Sequence, residues 1–218
     1  FFTEMWERFS FYGMKALLLL YLTKYHLFTD GAGYDLIGAY GGLVYLSTVL
    51  GGWIADRLLG MERTVFYGGV VVMIGHIALA VIPGLAGVGV GLLFVALGSG
   101  ALKANASSLL GTLYEKGDVR ADGGFTLFYL GINLGAFIGP LVTGLLQTNL
   151  GFHYGFGAAA IGMALGLAQY IFFRRNLGEH GRVVPNPLPR NAVGKTVGVF
   201  VAVLVVIGAA IAFKLVTL

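Results

Sequence analysis

The constraint that governs this chain is the recurrence of apolar runs, each long enough to cross a lipid bilayer and closed by a short polar or glycine-rich break. About 20 apolar residues make one crossing, and a helix satisfies its own backbone hydrogen bonds where lipid offers none. The runs fall at about residues 3–25, 36–59, 64–82, 88–114, 124–148 and 154–173. Between them lie the turn-prone segment 28–33, Pro83-Gly84 with the uncharged Leu85-Ala86-Gly87 link, the polar stretch 115–122 and a 149–153 turn. Composition agrees: 11% of residues are charged, against about 25% in a soluble domain. The expected fold is an all-α membrane protein, with a six-helix transmembrane bundle over residues 1–175.

Residues 176–192 are basic and contain Pro185-Asn186-Pro187-Leu188-Pro189, which reads as a semi-rigid linker. A further apolar run, 193–218, is expected as one additional membrane helix. Orientation follows from the distribution of bases. Loops after even-numbered spans hold Arg57, Arg63, Lys116, Arg120, Arg174, Arg175 and Arg182, whereas those after odd-numbered spans hold Lys24. The even side, and with it the amino terminus, is expected in the cytoplasm of a multi-pass protein of the cell inner membrane. Phe1 in place of Met reads as a chain that begins after its natural start.

Several function classes drop out. The net charge of +4 does not gather on a soluble surface, so no nucleic acid partner is expected. With no cysteine there is no disulfide, thiolate metal site or cysteine nucleophile. The four histidines lack metal-ligand spacing, so no metal is expected. Gly98-Ser99-Gly100-Ala101-Leu102-Lys103 lacks the glycine spacing and the following Ser or Thr of a phosphate loop. Asn105-Ala106-Ser107 is a glycosylation sequon placed at membrane depth, where it is inert. No Ser-His-Asp set or HExxH motif is present, and neither an enzyme nor a cofactor is expected.

The first run is the anomaly. Glu4, Glu7, Arg8, Phe11, Tyr12 and Lys15 follow i, i+3, i+4, i+7, i+8 and i+11, one ionic and aromatic helix face opposite Phe9, Met14 and Leu18. A charge near the bilayer centre costs roughly 2.5–3.5 kcal/mol on the lenient scale, so this face points into a wet or protein-lined interior and is by default a site. Lys103 sits in the middle of the fourth run, with Ser99 and Ser107 on its face. It is either a fixed ion-pair partner for Glu4 or Glu7, or a cation that changes partner when a proton or an anionic group arrives. Tyr45 and Asn133 can hydrogen-bond a ligand or a neighbouring helix. His76 can relay protons or simply pack. Asp56 and Arg57, in Gly52-Trp53-Ile54-Ala55-Asp56-Arg57, set an acid beside a base at a helix end, as a latch or as solvated charge. Gly131, Gly135 and Gly139 form a small-residue ladder for close helix packing, and Pro140 is a bend point.

Taken together these segments resemble the proton-dependent oligopeptide transporters of the major facilitator superfamily. Glu4-x-x-Glu7-Arg8-Phe9-x-Phe11-Tyr12-Gly13 is similar to that family's first-helix motif, with Phe11 where Tyr is usual and Lys15 where Arg is common. Gly52 to Arg57 resembles the superfamily's GxxxDR loop, Lys103-x-Asn105-x-Ser107 the fourth-helix lysine motif, and Phe128-Tyr129-x-x-Ile132-Asn133-x-Gly135 the fifth-helix signature. The resemblance implies the amino-terminal half of a bacterial-type member, with a carboxy-terminal six-helix half as its partner and residues 193–218 as the extra helix between halves. It implies proton-coupled symport of di- and tripeptides into the cell by alternating access. In that scheme Glu4 and Glu7 carry the proton, and Arg8 and Lys103 meet the peptide carboxylate. Phe11, Tyr12, Lys15, Tyr45 and Asn133 line the pocket, and Asp56 and Arg57 form the conformational latch. Phe11 removes a hydroxyl, and Lys15 keeps charge but loses Arg's bidentate fork. The implied partners are di- and tripeptides, protons and membrane lipid. A relative carrying nitrate or another small anion, or a structural membrane subunit, are the alternatives.

Overall fold

The computed structural model describes residues 1–25, 28–189, 191–196, 198–199 and 202. Six long helices follow the six apolar runs: α1 (Phe2–Leu20), α2 (Asp30–Ile54), α3 (Met61–Val81), α4 (Gly84–Gly111), α5 (Arg120–Leu150) and α6 (Phe152–Phe173). Wide π turns extend α1 over Tyr21–Tyr25 and α2 over Ala55–Leu59, and a 3-10 turn, Arg174–Leu177, follows α6. Among the described residues α2 through α6 are each long and apolar enough to cross a membrane; the charges of α1 keep it from that criterion.

Three boundaries differ from expectation, each for a local reason. The segment 28–33 is helical from Asp30, because the Thr29 hydroxyl accepts from the Ala32 N–H and caps the first turn. Leu85-Ala86-Gly87 is no link but the first turn of α4. Pro83 and Gly84 (φ +75°) make the whole reversal. The turn between α5 and α6 shrinks to Gly151 (φ +107°), whose left-handed backbone suits a residue without Cβ. Helix α5 runs unbroken through Pro140.

The helices are laid side by side so that α4 touches α2 and α3, α6 touches α1, α3 and α5, and α1 touches α5. Helices α2 and α5 are therefore the open flanks: 22% of the apolar stretch of each is buried, against 50% in α3 and α6 and 56% in α4. The shared apolar core gathers Met14, Leu18, Leu102, Phe156 and Met163, all with no exposed surface. His76 belongs to this core. It is fully buried, no charged group acts on it, and neither ring nitrogen has a partner among the described residues.

The glycine ladder of α5 lies along α1. A Cβ on Gly131 would meet the Phe1 carbonyl at 2.9 Å, one on Gly135 would strike the Met5 carbonyl, and one on Gly139 the Phe9 carbonyl. These positions are four residues apart on both helices, so α1 rests on α5 backbone to backbone. Across the same seam the Thr143 hydroxyl donates to the Gly13 carbonyl at 3.1 Å.

Beyond α6 the chain folds back beneath the α2–α3 turn. The Asn186 and Leu188 N–H groups donate to the Asp56 and Arg57 carbonyls at 2.9 and 3.1 Å, and the Glu62 N–H donates to the Gly181 carbonyl at 3.0 Å. Gly60 (φ +78°) is required here, since a Cβ would meet the Gly181 and Arg182 carbonyls at 2.8 Å. Of the seventh apolar run and its approach, residues 191–196, 198, 199 and 202 are helical; the rest of the run lies outside the described residues.

Candidate functional site

The helical spacing of α1 brings Glu4, Glu7 and Arg8 to one buried spot. The three are 4%, 0% and 4% exposed. Arg8 Nε donates to Glu4 Oε1 at 2.8 Å, and Arg8 Nη2 lies 2.8 Å from the same oxygen. Glu7 Oε2 is 2.9 Å from Arg8 Nε, a charge contact outside hydrogen-bonding geometry. The other Glu7 oxygen accepts from the Ser99 hydroxyl of α4 at 3.0 Å, which ties the two polar helices together. Two carboxylates thus share one guanidinium out of water, and Glu4 Oε2 and Glu7 Oε2 are left without hydrogen bonds. A low-dielectric site with one surplus negative charge attracts a proton or a second cation.

Lys103 supplies that second cation, but not by pairing. Read either as a fixed ion-pair partner for Glu4 or Glu7 or as a cation that changes partner, it makes no salt bridge to either glutamate among the described residues. Its ammonium lies 5.0 Å from the Phe11 ring centroid and 6.0 Å from that of Tyr45. The aromatic faces hold it by their quadrupoles. The Arg8 guanidinium carbon is also 5.8 Å from the Phe11 ring. Phe11, 7% exposed, is thus the surface both cations share.

Of the remaining anticipated residues, Tyr12 and Tyr45 touch this centre's groups, and Lys15, Asn133, Asp56 and Arg57 stand elsewhere on their helices. Tyr12 packs edge-on to Phe11 with centroids 5.4 Å apart, and Lys15 points outward. The Tyr45 side of α2 is open, with the residue 73% exposed. The Asn133 amide donates to the Tyr129 carbonyl of its own helix at 2.8 Å, on the exposed face of α5. The Asp56 and Arg57 carbonyls hold the linker, and neither side chain is ion-paired among the described residues. The ion pair at that end is Glu62 with Arg182, whose Nε donates to Glu62 Oε2 at 2.9 Å, while Arg182 Nη1 donates to Glu179 at 3.0 Å. The Tyr170 hydroxyl donates to the Glu62 carbonyl at 2.9 Å.

Two more buried residues adjoin the centre, Tyr40, which was not anticipated, and Asn105, anticipated only as part of the fourth-helix motif. Tyr40 of α2 stacks on Phe11, with centroids 6.1 Å apart and planes 27° from parallel. Asn105 donates to the Gly51 carbonyl at 3.1 Å and pins α4 to α2 one half-turn from Lys103. A polar residue four places before Val44 on the buried face of α2 was the only signal for Tyr40. Glu4 also lines a mostly apolar cavity of about 240 Å³ with Phe2, Leu109, Phe128 and Tyr170.

Known proteins of this shape are transporters. The chain matches the POT family (PTR2) over residues 62–216. It is 47% identical over 215 residues to the transporter YclF of Bacillus subtilis, covering 95% of this chain and 44% of that protein. It is 48% identical over 200 residues to a di-/tripeptide transporter of Lactococcus lactis, covering 87% of this chain and 40% of the relative. A crystal structure of peptide transporter POT in complex with alafosfalin superposes with a TM-score of 0.88 at 46% identity, covering 97% of this chain and 45% of the other. The chain therefore spans less than half the length of the relatives it matches.

Proposed function

The chain belongs to the POT family, and from that premise we propose that it forms the amino-terminal half of a proton-coupled symporter that brings di- and tripeptides into the cell by alternating access. The observation that carries the reading is the buried cluster of Glu4, Glu7 and Arg8, two acids on one base, with Lys103 held on aromatic rings beside it. The relatives named for peptide transport supply the substrate class. Residues 1–175 are the bundle, 176–192 the linker and 193–218 an additional membrane helix between the halves. The α2–α3 turn and the amino terminus face the cytoplasm, as the clustering of bases favours.

The scheme needs one partner exchange. A proton taken by Glu7 or Glu4 removes a negative charge from Arg8 and loosens that pair, so the guanidinium can turn to the peptide carboxylate. Lys103 needs no such release, because its aromatic partners are weaker than an anion. Closure follows with charge balanced: peptide carboxylate and one glutamate against Arg8 and Lys103. Loss of the proton toward the cytoplasm restores the Glu–Arg pair and expels the peptide. Phe11, Tyr12, Lys15, Tyr45 and Asn133 line the peptide's path, and the segment about Asp56 and Arg57 restrains the cytoplasmic end.

The test is uptake of labelled dialanine by the full-length protein in proteoliposomes, with and without an inward proton gradient. The gradient should concentrate the peptide, and Glu7→Gln should abolish that concentration while counterflow exchange persists. Unchanged concentrative uptake by Glu7→Gln would refute the proton role.

A further inference from the structure

Tyr40 is 5% exposed, yet its hydroxyl has no hydrogen-bond partner among the described residues. An unpaired buried hydroxyl is rare in a folded protein and calls for a reason. Its surroundings narrow the reason. The Tyr40 ring stacks on Phe11, and Phe11 is the ring that lies 5.0 Å from the Lys103 ammonium and 5.8 Å from the Arg8 guanidinium carbon. The charged groups that act on Tyr40 are Glu7 and Arg8. Glu7 Oε2, in charge contact with Arg8 but without a hydrogen bond, belongs to the same cluster, so the Tyr40 donor stands unused beside two cations. Phe11 carries no hydroxyl of its own, and the phenol of this stacked pair therefore comes from α2.

Resting on the functional reading above, we propose that Tyr40 is a specificity-determining residue of this site, its hydroxyl donating a hydrogen bond to the anionic group that Arg8 and Lys103 receive. A phenol is suited to the task. It stays neutral beside the glutamates, donates along one direction, and is held by a ring that has little rotamer freedom to lose. The two cations supply attraction without direction through Lys103 and a fork through Arg8; the Tyr40 O–H distinguishes a carboxylate from a neutral end of similar size. The Ser99 hydroxyl does not compete for the role, since it is already committed to Glu7.

The experiment compares wild type and Tyr40→Phe of the full-length protein in proteoliposomes, reading KM and maximal rate for dialanine and for dialanine amide, with thermal unfolding of both variants. Tyr40→Phe keeps the ring on Phe11 and deletes the oxygen alone. The expected result is a KM for dialanine raised about tenfold, a maximal rate near wild type, preference over the amide reduced by the same factor, and an unfolding midpoint not lowered. A KM within twofold of wild type with preference intact overturns the inference, as does a lowered midpoint with unchanged KM, which would make the hydroxyl structural. Wild type that takes up no dialanine overturns the functional reading, and this inference with it; a silent Tyr40→Phe beside active wild type overturns this inference alone.

Discussion

Two clusters in this protein have the same formula, two glutamates on one arginine, and opposite character. In the first, Arg8 lies between Glu4 and Glu7 with side chains at most 5% exposed. In the second, Arg182 lies between Glu62 and Glu179 with side chains 36%, 5% and 84% exposed. Water answers the surplus charge of the second, and Glu179 can swing away freely. Nothing but another charge can answer the first, where the unpaired oxygens of both glutamates face protein. The lesson is that composition of an ion cluster does not decide its role; access to water does. The dry cluster must balance its charge within the protein, and the wet one is a fastener between the linker and the α2–α3 turn.

That contrast breaks first at Arg8. Arg8→Leu leaves two buried carboxylates without a base, a loss of about 3–5 kcal/mol if both stay ionised. The measurement is thermal unfolding of Arg8→Leu beside wild type; an unlowered midpoint would mean that Arg8 does not compensate the two carboxylates. The next effect belongs to Arg182→Ala. Glu62 is 4% exposed and loses its side-chain partner, but Tyr170 and Gly181 still hold its backbone. A fall of a few degrees in the unfolding midpoint is expected, with dialanine KM unchanged; a shift in KM would couple the fastener to the site.

The smallest effect sharpens the wet end of the comparison. Arg120, exposed at the start of α5, hydrogen-bonds Asp118 through its side chain at 2.8 Å and its backbone N–H at 2.9 Å, and holds that carboxyl below its usual range. A depressed folded value means the contribution is complete above about pH 4 and fades as pH falls through the folded value. In so exposed a pair the contribution is screened. Asp118→Asn should leave the unfolding midpoint at neutral pH within a degree of wild type, and a larger drop would show that this loop is not merely solvated.

Much of the dry cluster was legible in the chain, since Glu4, Glu7, Arg8 and Phe11 share a helix face by spacing alone. The glycine ladder was likewise readable as close packing, though not that its groove receives α1. What sequence could not carry were relations across space. The bond between Glu62 and Arg182 joins residues 120 apart, and Lys103 of α4 meets the ring of Phe11 on α1. Tyr40 was illegible for a related reason: one aromatic on an apolar helix is indistinguishable from packing until its neighbours are known. The early start of α2 and α4 was missed because glycines that look like turn formers sit in their first turns.

The seam between α1 and α5 sets where the acids stand in depth. A groove that repeats every four residues looks alike after a slip of one turn, about 6 Å along the axis. The Thr143 bond to the Gly13 carbonyl removes that ambiguity, because no second threonine waits one turn away to replace it. A single hydroxyl of α5, bound six residues along α1 from Glu7, thus works as the index mark that fixes the height of the ionic centre against α5.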